Sequence, residues 1–145
     1  MKKLLLKILI LGLIIYIIFN IDLREDASQD KLLMNHVNLI GTITSYIKSN
    51  NHSFGIVKFK VIKSNEEEID FSKSEFLFPY RIKKKYAEFY GYVPMEAKIG
   101  QTINLNSDER SVKFYENKIK LAEVTLTIST DKQNMKYVKE NTEFK

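Results

Sequence analysis

Hydrophobic and polar positions change their spacing several times along this chain, and each change marks an element. From Leu4 to Ile21 the residues are apolar apart from Lys7 and Asn20, with Gly12 the one permissive position. A helix of that length covers roughly 27 Å at about 1.5 Å per residue, close to the ~30 Å hydrocarbon core of a bilayer. Apolar on every face, it has no polar side to turn to water, which sets it apart from an amphipathic core helix. The pattern predicts a transmembrane helix over 1–22.

The uninterrupted part, Ile8 to Phe19, also suits the apolar region of a secretory signal peptide. Cleavage calls for small residues at two alternate positions just after the run. Here Asn20, Ile21, Asp22, Leu23, Arg24, Glu25 and Asp26 follow, and Ala27 has Glu25 two places before it. The chain has no cysteine to carry a lipid. The segment is therefore expected to stay as a signal-anchor. Lys2, Lys3 and Lys7 lie on its N-terminal side and Asp22, Arg24, Glu25, Asp26 and Asp30 beyond it. Positive-inside bias then predicts a single-pass inner (cytoplasmic) membrane protein, N-terminus in, with the remainder extracytoplasmic.

Residues 23–35 are charged and polar and read as a tether, helical if it continues the anchor. From His36 the period becomes two. Val37, Leu39, Gly41, Ile43 and Ile47 share one phase, and Val57, Phe59 and Val61 alternate with Lys58 and Lys60 across the turn-rich "SNNHSFG". These two stretches predict a hairpin. "SNEEE" is a second turn and "IDF" a short strand. In "YRIKKKYAEFYGYVP" the apolar spacing changes again: Ile82, Tyr86, Phe89, Tyr90 and Val93 fall on one helix face. Gly91 and Pro94 follow as stop signals. This predicts one short helix from about Tyr80 to Tyr90. Strands return in "KIGQTINL" and "RSVKFYENKIKLAEVTLTIS". In the last of these Ile119 and Leu121 are out of phase with Val124, Leu126 and Ile128, which calls for a bulge or a change of sheet near Ala122. Such bent strands belong to small closed barrels. The domains expected are thus the anchor at 1–22, the tether at 23–35, a small β domain at 36–130 and a polar, fraying C-terminal tail at 131–145.

Composition modifies this picture in one respect. The net charge is +5, from 23 basic and 18 acidic side chains. Setting aside the three anchor lysines leaves 20 against 18, or +2, too little for a nucleic-acid-binding domain. About 110 residues from Val37 onward suffice for one modest core. The abundance of Lys, Ile and Asn suits an AT-rich bacterial genome.

An anchor followed by "LIGTITSYIKSNNHSFGIVKF", then "AKIGQTINLN" and "SVKFY", resembles a group of uncharacterised small membrane-anchored β-domain proteins of the bacterial envelope. The shared pattern is a first strand containing glycine (here Gly41), a polar turn, and a turn entering a late strand through Ile99, Gly100, Gln101 and Ile103. Gln101 departs from it, since aspartate is common there. The resemblance spans most of the chain, implies an OB-like or SH3-like barrel, and brings no catalytic residues.

Candidate chemistry is sparse. His36 and His52 sit among turn-type residues, and read as solvated loop histidines rather than metal ligands. Glu66, Glu67, Glu68 and Asp70 lack the alternation and glycine of a calcium loop. No nucleophile elbow or phosphate-binding glycine loop occurs, and no pair stands out among the 18 acids. Neither catalysis nor a cofactor or metal is expected. One constellation rises above background: Tyr80, Arg81, Lys83, Lys84, Lys85 and Tyr92, aromatic and basic side chains interleaved. Such mixtures bind anionic polymers, stack sugars or lie on anionic head groups. The plainer reading has the aromatics closing one end of the barrel and the lysines facing water. The expected protein is thus mainly β: a transmembrane helix and a small OB-like or SH3-like barrel with one short helix. Its expected function is non-catalytic docking of an envelope protein partner. The alternatives are an anionic glycan or lipid-surface module using the 80–92 segment, and a membrane-anchored immunity protein.

Overall fold

The computed structural model describes residues 2–144; side chains of 2–8 and 19–27 lie outside that description. The chain divides into two units, Met1–Leu32 and Leu33–Lys145. The first is helix α1, Lys2–Leu33. Every side chain described from Leu9 to Ile18 is exposed, leucines and isoleucines included. Among the described residues no helical stretch is long and apolar enough to cross a membrane. The two ends of the 4–21 run, 4–8 and 19–21, lie outside the described side chains, so the expected anchor is only partly in view. The tether is helical as far as Leu33, and the chain leaves the helix through His36 at φ 61°.

The second unit holds eight antiparallel strands: β1 Asn38–Lys48, β2 Phe54–Ser64, β3 Glu68–Ile69, β4 Tyr80–Lys83, β5 Tyr86–Tyr92, β6 Thr102–Asn106, β7 Ser111–Glu116 and β8 Ile119–Thr125. A helix, α2, spans Lys132–Asn141. The strand order is β3-β4-β5-β2-β1-β6-β7-β8. The sheet curls about one core to which both of its ends contribute. Ile69, Tyr80 and Ile82 enter from one end and Ala122, Val124 and Leu126 from the other. Leu77 and Ser129 tie the ends with a reciprocal pair of backbone hydrogen bonds of 2.8 and 3.0 Å.

Irregularities in the ladders make the curl. Between β1 and β2 the register slips at Ile40/Gly41 and again at Ile43/Ser45. The second slip leaves Thr44 without a partner and reverses the phase after it. Tyr46 packs against the main core, while Ile47, expected in phase with Ile43, packs on the opposite face. In β8 Phe114 faces Ala122 and Tyr115 faces Lys120, so Leu121 is the extra residue. That bulge falls beside the position the sequence pattern indicates. Gly41 sits where a Cβ would lie 2.6 Å from Phe59 Cδ2 and 2.7 Å from the Lys60 carbonyl, so the Phe59 ring can cover it only because it is glycine.

Two expectations are corrected. Residues 80–90 form no helix but the hairpin β4–β5, with Lys84 and Lys85 as a two-residue turn and Lys84 at φ 59°. Inward residues alternate as Tyr80, Ile82, Ala87 and Phe89. The other face is also covered, so Ala87 to Tyr90 are all buried and the period of two is hidden in the sequence. The polar tail does not simply fray: Asp131 caps α2, accepting from the Gln133 and Asn134 amides at 2.7 and 3.1 Å. Val138 and Tyr137 then lay an apolar stripe against Ile56 and Tyr90.

Val57, Phe59 and Ile43 are fully buried in the same core as Leu126 and Ile128, with Val61 and Val124 at its margin. Phe59→Ala should therefore destabilise the domain by about 3–5 kcal/mol in chemical denaturation of the full chain. A loss under roughly 0.5 kcal/mol, typical of a surface site, would remove Phe59 from the core.

Candidate functional site

The six residues singled out in the sequence do not form one surface. Tyr80 is buried, and its hydroxyl donates to Asn35 Oδ1 at 2.6 Å. Burial pushes its phenol up to about 12 against the opposing effect of that bond. It belongs to the core and is withdrawn from the binding surface. Arg81 points to the opposite face, where Nη2 meets Asp70 Oδ2 at 3.0 Å and Nη1 donates to the Phe144 carbonyl at 2.6 Å. Burial acts to raise the Asp70 carboxyl, but hydrogen bonds from Ser72 and then Arg81 outweigh it and hold it below the usual range. Lys83, Lys84 and Lys85 are exposed at the hairpin tip. Glu68 lies directly opposite Lys83, and Lys84 N–H donates to the Glu67 carbonyl at 2.8 Å, so the acidic run lines the basic turn. Tyr92 lies at the far end of β5 from these lysines.

The structure adds a cluster that the sequence pattern does not mark. Glu88 stands between Lys58 of β2 and Arg81 of β4 in the sheet registers, and is 1% exposed. Its Oε2 accepts from the Tyr90 hydroxyl at 2.7 Å and the Thr142 hydroxyl at 2.6 Å, and Oε1 from the Glu143 amide at 3.0 Å. Lys58 reaches Glu143 Oε1 at 2.8 Å, and Arg81 lies over the Phe144 ring at 5.5 Å. Burial, and then the charge of Glu88, push the Tyr90 phenol far above its usual range. Both Glu88 oxygens are occupied and closed to solvent, so the cluster is a lock on the C-terminal segment and offers no general acid or base. The available signal was a lone Glu within the aromatic run "YAEFYGY", where a buried polar residue demands partners.

Two other features are open to a ligand. The first is the β8 edge, paired only with β7 within the sheet. Ile119 there is 66% exposed and Leu121 36% exposed. The second is a shallow cleft of about 390 Å³ lined by Asn51, His52, Phe54, Tyr92, Asp131 and Asn134. Of the histidines, His36 is exposed and pairs through Nδ1 with Asp108 Oδ2 at 3.0 Å. Among the described residues no three His, Asp or Glu side chains are grouped to hold a metal. Gln101 closes the 96–101 turn, accepting from Lys98 N–H at 2.9 Å and donating to the Glu96 carbonyl at 3.0 Å.

Glu88→Ala strands the Tyr90 and Thr142 hydroxyls and the Glu143 amide, and should cost about 3 kcal/mol or more. Glu88→Gln keeps the shape with weaker acceptors and should cost about 1–3 kcal/mol. In both variants α2 amides should lose hydrogen-exchange protection before the core strands do. Unchanged protection across α2 would show that Glu88 does not hold it.

Compared with models of known families, with curated proteins and with solved structures, the chain finds no match.

Proposed function

We propose that this chain is a membrane-tethered, non-catalytic docking domain of the bacterial envelope. In this reading the 4–21 run spans the inner membrane once, with the N-terminus in the cytoplasm and the β domain outside it. Support for the tether comes from Leu9 to Ile18: side chains apolar on every face of a helix and exposed on every face call for an apolar surrounding. Lys2, Lys3 and Lys7 give the orientation. At finer grain we take the curled sheet as a small barrel of the OB-like or SH3-like kind, elaborated to eight strands. The Leu77–Ser129 tie supports that closure.

The observation that carries docking is the β8 edge. A partner protein adds an extended segment along Ile119–Thr125, taking up its outward backbone groups and covering Ile119 and Leu121. A toxin held inactive at the membrane would be one such partner, which is the immunity reading in structural terms. A second reading, attachment to an anionic glycan or lipid surface, is favoured by the three exposed lysines at the β4–β5 tip. Glu66, Glu67 and Glu68 beside them weaken that field.

Two outcomes are expected. Full-length protein should stay in washed membranes, and a C-terminal reporter should be active outside the cytoplasm; a soluble chain beginning near Asp22 or Ala27 would overturn the tether. A photo-crosslinking residue at Ile119 or Leu121 of the intact protein should trap a partner in native membranes. The Ile119→Lys, Leu121→Lys double variant should lose that partner with stability changed by less than about 0.5 kcal/mol. Retention of the partner by the double variant would remove the edge from the interface.

A further inference from the structure

We infer that the cleft between the β1–β2 loop and the start of α2 is a subsite for one ring of an uncharged saccharide, stacked on Tyr92. The site is separate from the β8 edge and takes a different class of ligand.

Its construction follows from the sheet. Phe54 opens β2 and Tyr92 closes β5, and the two stand directly opposite each other in the ladder. By the period of two, Tyr92 is on the same face as Tyr90, and Phe54 on that of Ile56. Helix α2 covers Tyr90 and Ile56 through Val138 and Tyr137, and Phe54 meets the Tyr137 ring edge-on at 6.4 Å. The helix begins only at Lys132, so its cover stops short of Tyr92, which remains 48% exposed. A half-exposed tyrosine with Phe54 directly opposite it in the ladder offers a flat apolar platform with a polar rim.

Polar groups border that platform. Asn51 Nδ2 donates to Asn134 Oδ1 at 2.9 Å, tying the loop to the helix. His52 and Ser53 both lie in the left-handed region, at φ 47° and 57°, although neither is glycine. They are the central pair of the β1–β2 turn, closed by the Phe54 N–H to Asn51 carbonyl bond at 2.8 Å, and positive φ at both positions is the usual hairpin geometry that sets His52 beside the cleft. Asp131 engages Oδ1 with the α2 amides, while its Oδ2 makes no hydrogen bond among the described residues. Amide, imidazole and carboxylate groups around a ring are the partners that sugar hydroxyls use, and the sugar's C–H face fits the ring.

Charge selects among ligands. The lining contains one carboxylate and neither lysine nor arginine. The α2 N-terminus, which would otherwise attract an anion, is already taken by Asp131. Phosphorylated or uronic sugars are therefore disfavoured, and a purely apolar ligand would leave the rim groups unmatched. The volume of about 390 Å³ is at the small end of ligand sites, which suits one ring of a longer chain.

The test is calorimetric titration of the full chain in phospholipid nanodiscs, since a maltoside detergent would itself present a sugar. The probes are chitotetraose, maltotetraose and, as the anionic comparison, a tetrasaccharide of galacturonic acid. Wild type should bind at least one neutral probe saturably, with a Kd of roughly 1 mM. Tyr92→Ala should weaken that binding by at least about tenfold with the melting temperature unchanged, and Tyr92→Phe should retain it. The triple variant Lys83→Gln, Lys84→Gln, Lys85→Gln should bind as wild type does. No saturable binding of either neutral probe up to about 10 mM would overturn the subsite. Equal binding by Tyr92→Ala, or tighter binding of the anionic probe, would also overturn it.

Discussion

A carboxyl group buried in the middle of a sheet is tolerated only when its oxygens are matched, and for Glu88 two of the three donors come from the far end of the chain. Tyr90 supplies one donor from the same strand; Thr142 and the Glu143 amide supply the others. Without the C-terminal segment, Glu88 would lie on an open face between Lys58 and Arg81. With it in place, Lys58 pairs with Glu143 and Arg81 donates to the Phe144 carbonyl. The same contact fixes where α2 lies, and so which outer-face residues it covers. Ile56 and Tyr90 become a second core, and Tyr92 is left just past its margin. One polar requirement thus determines the outer layer, the end of its cover and the cleft beside it.

A strand was legible where polar residues keep their places on its outer face, and hidden where they do not. Val57, Phe59 and Val61 alternate with Lys58 and Lys60, so the period of two survives even though the C-terminal segment covers Lys58. The shift between Leu121 and Val124 likewise announced a bulge, because the partner strand is regular. In β5 the outer layer buries Glu88 and Tyr90 as well as Ala87 and Phe89, and the resulting apolar run imitates a helix face. Helix α2 escaped for the opposite reason: Val138 is its one buried residue, too faint a stripe to stand out in a polar stretch. The misplaced Ile47 has a local cause, the unpaired Thr44, whose hydroxyl reaches the Lys58 carbonyl at 3.2 Å.

Of the site expected from sequence, the lysines and Tyr92 are exposed but stand at opposite ends of β5, and Tyr80 and Arg81 are directed to opposite faces. Alternation in a strand imposes this separation, whereas a helix would have gathered the set along one side. Tyr92 remains a candidate because of neighbours remote in sequence, Asn51, Asp131 and Asn134, which no spacing rule could join to it.

The two edges of the sheet are treated differently, and the difference bears on docking. At one edge β3 is two residues long and follows Glu66 and Glu67, with Glu68 within it. Shortness and charge are the usual guards against unwanted pairing. The other edge, β8, runs seven residues without proline, and its charged Lys120 and Glu123 are paired with each other at 2.7 Å. Both side chains stay largely in water, 51% and 41% exposed, where such a pair is worth little and is readily displaced. The bulge at Leu121 limits the regular edge and turns an apolar side chain outward beside Ile119. An exposed apolar edge of this kind is an aggregation hazard, and in the docking proposed above a partner strand would cover it.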